Sequence, residues 1–172
     1  MLSRLSFFYF FSSCFILVLC SCNPKDRLEI EKSASAFDIK QGEASIHQSN
    51  ENIMNAFKAG DSAGVANSFA VDGKMMGAHA PAVVGRDAIR HYISSTMNRG
   101  MKNFEINTIK IWGDSSLLAE EGTYNFSDST EKPIDHGKYI VLWIPESGNW
   151  KMFRDIWTTD IPDSSALKPA TE

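Results

Sequence analysis

Cysteine is nearly missing from this chain: of 172 residues only Cys14, Cys20 and Cys22 carry a thiol, all near the start. Everything downstream lacks disulfides and thiolate metal ligands, so its stability must rest on packing. Positive charge is also short, with 17 Lys and Arg against 21 Asp and Glu and a net charge of −4. Nucleic-acid binding depends on clustered cations, so no nucleic-acid partner is expected. Long hydrophobic runs are absent too. The one apolar run, Phe7 to Leu19, stops short of the roughly 20 residues that cross a bilayer as a helix. No glycine-rich phosphate loop, nucleophile elbow or Cys/His pair appears. His47, His91 and His136 are scattered and fit no zinc spacing, so neither a metal nor a cofactor is expected.

What is present at the start reads as an export signal: Arg4, then the short apolar run. Its end, Leu19-Cys20-Ser21-Cys22, resembles the lipobox of bacterial lipoproteins, with Cys22 as the lipid acceptor. That resemblance implies an exported protein held on a bacterial membrane, periplasmic or at the cell surface, since each buried lipid methylene adds about 0.8 kcal/mol. Residues 1–21 are then the signal peptide. Residues 22–36, polar and without periodicity, read as a tether, residues 37–160 as the working domain, and residues 161–172 as a flexible tail.

Within the domain, Ile46, Asn50, Ile53, Met54 and Phe57 recur at helical spacing and predict a helix over 37–59, stopped by Gly60. Asp61 caps a second helix carrying Val65, Ala66 and Phe69, with a turn expected at Asp72-Gly73. A third follows Gly85, buries Ile89, Ile93 and Met97, and ends at Asn98-Arg99-Gly100. From there the pattern is extended. Segments 104–112, 117–126, 136–144 and 150–158 are rich in aromatic and β-branched residues and are separated by turn formers. The expected fold is α+β: three N-terminal helices packed on a strongly curved antiparallel sheet, with a hollow between the layers.

Five short stretches carry a family resemblance: Asn55–Asp61, Val84–Ile89, Gly122-Thr123-Tyr124, Gly137-Lys138-Tyr139 and Trp150–Trp157. In this order and spacing they resemble the SnoaL-like and ketosteroid isomerase-like branch of the nuclear transport factor 2-like superfamily. The resemblance implies a cone with an apolar pocket and a homodimer formed through the outer face of the sheet. The superfamily holds isomerases, cyclases and dehydratases beside binding and assembly modules, so fold does not decide function. The isomerase-like enzymes carry a carboxylate base just after the strand that follows the second helix. That position falls at or next to Gly77 in Lys74–His79, where no acid stands.

Three residues are candidates for chemistry. His79, the titratable residue nearest that position, suits proton transfer at neutral pH, or is a solvent-exposed loop histidine. Alternation in 117–126 places Glu120 with Tyr124 on the more apolar face, where a carboxylate needs a partner; a structural salt bridge is the alternative. Asp155 shares a strand face with Phe153 and Trp157, opposite Trp150, Met152, Arg154 and Ile156. If that face looks inward, Asp155 is an acid beside aromatic walls; if outward, it belongs to a dimer interface. Met76, Tyr124, Lys138 and Trp157 are the candidate ligand contacts, Lys138 through pairing with Glu120 or Asp155. Three functions follow: a binder of a small, mostly apolar molecule acting as carrier, sensor or assembly module; an enzyme using a pocket acid or histidine for proton transfer; or a dimerisation module with a filled core.

Overall fold

The computed structural model describes residues 37–162. The signal peptide, Cys22, the tether and residues 163–172 lie outside them. Helix α1, Ile39–Lys58, starts where the Asp38 carboxylate accepts the Lys40 backbone N–H, and buries Gly42, Ile46, Asn50, Ile53 and Phe57 along one stripe. Gly60, at φ +74°, turns the chain in a conformation other residues rarely adopt. In helix α2, Ser62–Asn67, the Asp61 carboxylate accepts the Gly64 N–H.

The expected turn at Asp72-Gly73 is instead the middle of strand β1, Phe69–Met76. Gly73 is there for space: an added Cβ would stand 3.0 Å from the Ala70 carbonyl oxygen and 3.1 Å from that of Met152. A short β2, Val83–Val84, leads into helix α3, Arg86–Asn98, which buries Ile89, Ile93, Thr96 and Met97. Strands β3 (Asn103–Gly113), β4 (Leu118–Ser127), β5 (Pro133–Glu146) and β6 (Asn149–Thr159) form an antiparallel meander.

The sheet runs β2-β1-β6-β5-β4-β3, and β1 lies parallel to β6. It is therefore mixed rather than purely antiparallel, because the chain returns β1 to the free edge of β6. Register shifts interrupt four of the pairings, at Phe69/Lys74, Thr108/Lys110, Phe126/Ser127 and Leu142/Trp143. Such bulges bend and twist strands of this length, curling the sheet without closing it. The three helices cover its concave face, and Ile46, Phe69, Ile89, Leu118 and Trp143 fill the core.

A candidate pocket around two acids

Strand β4 alternates as its sequence suggests, with Leu118, Glu120, Gly122 and Tyr124 buried. Glu120 has no exposed surface, and four neutral donors converge on it. Asn50 Nδ2 (2.7 Å), Thr108 Oγ1 (2.7 Å) and the Tyr139 hydroxyl (2.8 Å) donate to Oε1, and Trp143 Nε1 (2.9 Å) donates to Oε2. These bonds compensate a buried negative charge without a cation. They also explain the one polar member of the α1 stripe: Asn50 faces inward because Glu120 needs it.

Asp155 sits in the same row two strands away, since Glu120 pairs with Val141 and Val141 with Asp155. At about 4.8 Å per strand, their backbones are about 10 Å apart. Simple alternation assigns Met152 and Asp155 to opposite faces. The register shift, in which Leu142 pairs with Arg154 but Trp143 with Met152, makes Phe153 the extra residue and turns both Met152 and Asp155 inward. Phe153 is thereby separated from Asp155 and packs under the Arg154 guanidinium, 3.4 Å from the ring centre.

Between these acids and the helices lies a cavity of about 130 Å³. Its walls include Ile53, Phe57, Val141 and Met152, with Phe104 and Phe126 stacked at 4.3 Å. Asp155 is half-buried and lines this cavity. Among the described residues, its carboxylate has no side-chain hydrogen-bond partner. Burial, reinforced by the charge of Glu120, pushes its carboxyl up to about 7. Burial also raises the Tyr139 hydroxyl, with Glu120 adding to the effect, and the Tyr124 hydroxyl, with Asp135 adding. Both phenols are donors rather than phenolates.

Glu120, Tyr124, Asp155 and Trp157 thus meet around one cavity. His79, Met76 and Lys138 do not. His79 is exposed at φ 60° in the loop after β1 and does not line the cavity; it borders recesses that adjoin it, sharing Met75, Tyr92, Met101, Asp135 and Trp157 with its wall. Met75, not Met76, lines the cavity, because Met76 takes the opposite strand face, in register with exposed Ile156. Lys138 is exposed and pairs with Asp160, not with Glu120 or Asp155. The expected salt bridge to Glu120 is absent because its four neutral donors already occupy it. At Gly77, a Cβ would stand 2.5 Å from Trp157 Cζ2, so Trp157 fills the space where the resemblance would put the isomerase base.

The sequence reading passed over Tyr139 and Trp143 as donors, although Gly137, Tyr139, Val141 and Trp143 alternate inward on β5. It also passed over Asp135, which holds the Tyr124 hydroxyl at 3.0 Å and the Thr159 hydroxyl at 2.6 Å. A protein with a cystatin-like fold from Novosphingobium aromaticivorans, described as NTF2-like, superposes with a TM-score of 0.61 at 12% identity, over 86% of this chain and 96% of that one. An NTF-2-like protein of unknown function from Shewanella oneidensis MR-1 gives 0.59 at 11% identity, over 68% and 98%. The chain has the nuclear transport factor 2-like fold. A third structure with this fold, a ketosteroid isomerase-like protein from Erwinia carotovora atroseptica SCRI1043, matches at TM-score 0.58 and 17% identity, covering 69% of this chain and 96% of that one. The sequence matches no protein-family model and no curated protein. Nuclear transport factor 2-like folds of this kind place a curled sheet under helices, and here that arrangement encloses Asp155.

Proposed function

We propose that this domain binds a small, mostly apolar molecule in its cavity, exported and held on a bacterial membrane by lipid on Cys22. The observation that carries the reading is an apolar cavity of about 130 Å³ with one carboxyl, Asp155, facing it unpartnered. A ligand hydroxyl or carbonyl satisfies that group, while the aromatic walls take the rest. Cavities of about 150 Å³ accept one benzene ring, so the fitting ligand is one ring or a short branched chain. Mass spectrometry of the full chain, purified natively from membranes, is expected to release such a molecule, and a Val141→Phe variant that fills the cavity should lose it. Wild-type protein that yields no ligand and takes up no apolar probe in titration would overturn the reading. For the anchor, Cys22→Ser should move the protein from the membrane to the soluble fraction; continued membrane association would count against lipidation there.

A second reading, proton-transfer catalysis as in an isomerase, cyclase or dehydratase, is favoured by one feature. A carboxyl poised near 7 exchanges a proton with a bound enolisable compound at little cost in either direction. Glu120, saturated by four donors, leaves the exchange to Asp155. An enzyme should lose turnover on Asp155→Asn while still binding; a binder shows no turnover to lose.

A further inference from the structure

Four charged residues line the cavity: Arg99, Glu120, Asp135 and Asp155. Three are acids, and two of these already hold partners. Glu120 takes its four donors, and Asp135 takes the Tyr124 and Thr159 hydroxyls. Arg99, the one cation in the lining, caps the end of α3. Its Nη1 donates to Ser95 Oγ at 3.3 Å and its Nη2 to Thr96 Oγ1 at 3.2 Å. The Thr96 hydroxyl is buried, also lines the cavity, and donates to the Tyr92 carbonyl. That bond holds one edge of the guanidinium at the cavity wall. Ion pairs among the described residues join Arg86 to Glu146 and Lys138 to Asp160; Arg99 is in neither, so its remaining donors are free for a ligand.

We propose that the ligand is a small apolar acid, its carboxylate bound by Arg99 at the rim and its hydrocarbon body inside. The proposal rests on the ligand-binding reading above and names the chemical class of the occupant. Charge fixes the orientation, because Glu120 and Asp155 at the inner end repel a carboxylate while Arg99 offers planar paired donors to one. A phosphate dianion fits poorly, since a single cation faces it. The inner end of the ligand then lies toward Asp155, where a hydroxyl or carbonyl finds its partner.

The test is calorimetric titration of the full chain with phenylacetate and with 2-phenylethanol, which share a ring and differ in the charged group. Wild-type protein should bind phenylacetate about tenfold or more tightly than the alcohol, as a charge-assisted bond requires. Arg99→Gln should abolish that preference and leave the alcohol within about twofold of its wild-type affinity, whereas Arg99→Lys should keep part of the preference. Arg99 is exposed and its contacts are two hydroxyls, so these variants keep the fold. Binding of the alcohol as tightly as the acid, or a preference that survives Arg99→Gln, would overturn the acid class while leaving the pocket a binding site. Failure of both probes to bind would overturn the pocket reading as well.

Discussion

Asp155 and Glu120 are both carboxylates in one buried row, yet their surroundings send them to different tasks. Glu120 meets four donors, so its carboxyl oxygens are satisfied inside the protein. Asp155 meets none and faces apolar walls, so folding holds its carboxyl near 7 against an ordinary value of 3.8. An acid raised on folding is destabilising when ionised. The penalty is absent below about pH 4, where folded and unfolded forms are both protonated. It grows as the pH rises toward 7, and levels off above. Asp155→Asn should therefore match wild type near pH 4 and exceed it in stability at pH 8, by up to about 4 kcal/mol for a shift of about three units. Urea unfolding across that range measures it; equal stability of the two proteins at pH 8 would show that Asp155 carries no such strain. The inward face of Glu120 was legible from alternation alone. Its partners were not, because Asn50, Thr108, Tyr139 and Trp143 come from three other elements whose register no local pattern encodes.

Helix α1 was readable almost to the residue, because a stripe with helical period needs no knowledge of what it packs on. Its contribution is testable. Ile46, fully buried on that stripe, should cost about 2–5 kcal/mol when cut to Ala; a loss under about 1 kcal/mol would mean that the helix packs loosely on the sheet. The strands were harder. Strand β1 was hidden by Asp72-Gly73, a pair that commonly marks a turn but here lets two backbones pass closely. The inward face of β6 was left undecided because a bulge at Phe153 breaks alternation within the strand itself. Met76 and Lys138 were placed in the pocket for want of such parity and register. Each of these misreadings lies where a non-local pairing overrides a local rule.

For the whole molecule, the two faces of the curled sheet differ. The inner one forms the cavity. Across the outer one, Glu121, Ile140, Ile156 and Met76 stand in one row, with Ile140 44% and Ile156 45% exposed. Exposed apolar residues side by side on a sheet fit the homodimer that the sequence resemblance implies. The double variant Ile140→Lys, Ile156→Lys should sediment as a monomer and wild type as a dimer; a wild type that sediments as a monomer at all concentrations would remove that assembly. The account as a whole depends on Asp155 lying unpartnered in apolar space beside a charged Glu120, and a carboxyl carbon NMR titration of the full chain reads this directly. Asp155 should titrate with a midpoint near 7, and Glu120→Gln should lower that midpoint by removing the neighbouring charge. A midpoint near 4 in the wild-type protein would contradict the account, because it would place Asp155 in water or against a partner rather than against the apolar walls of the cavity.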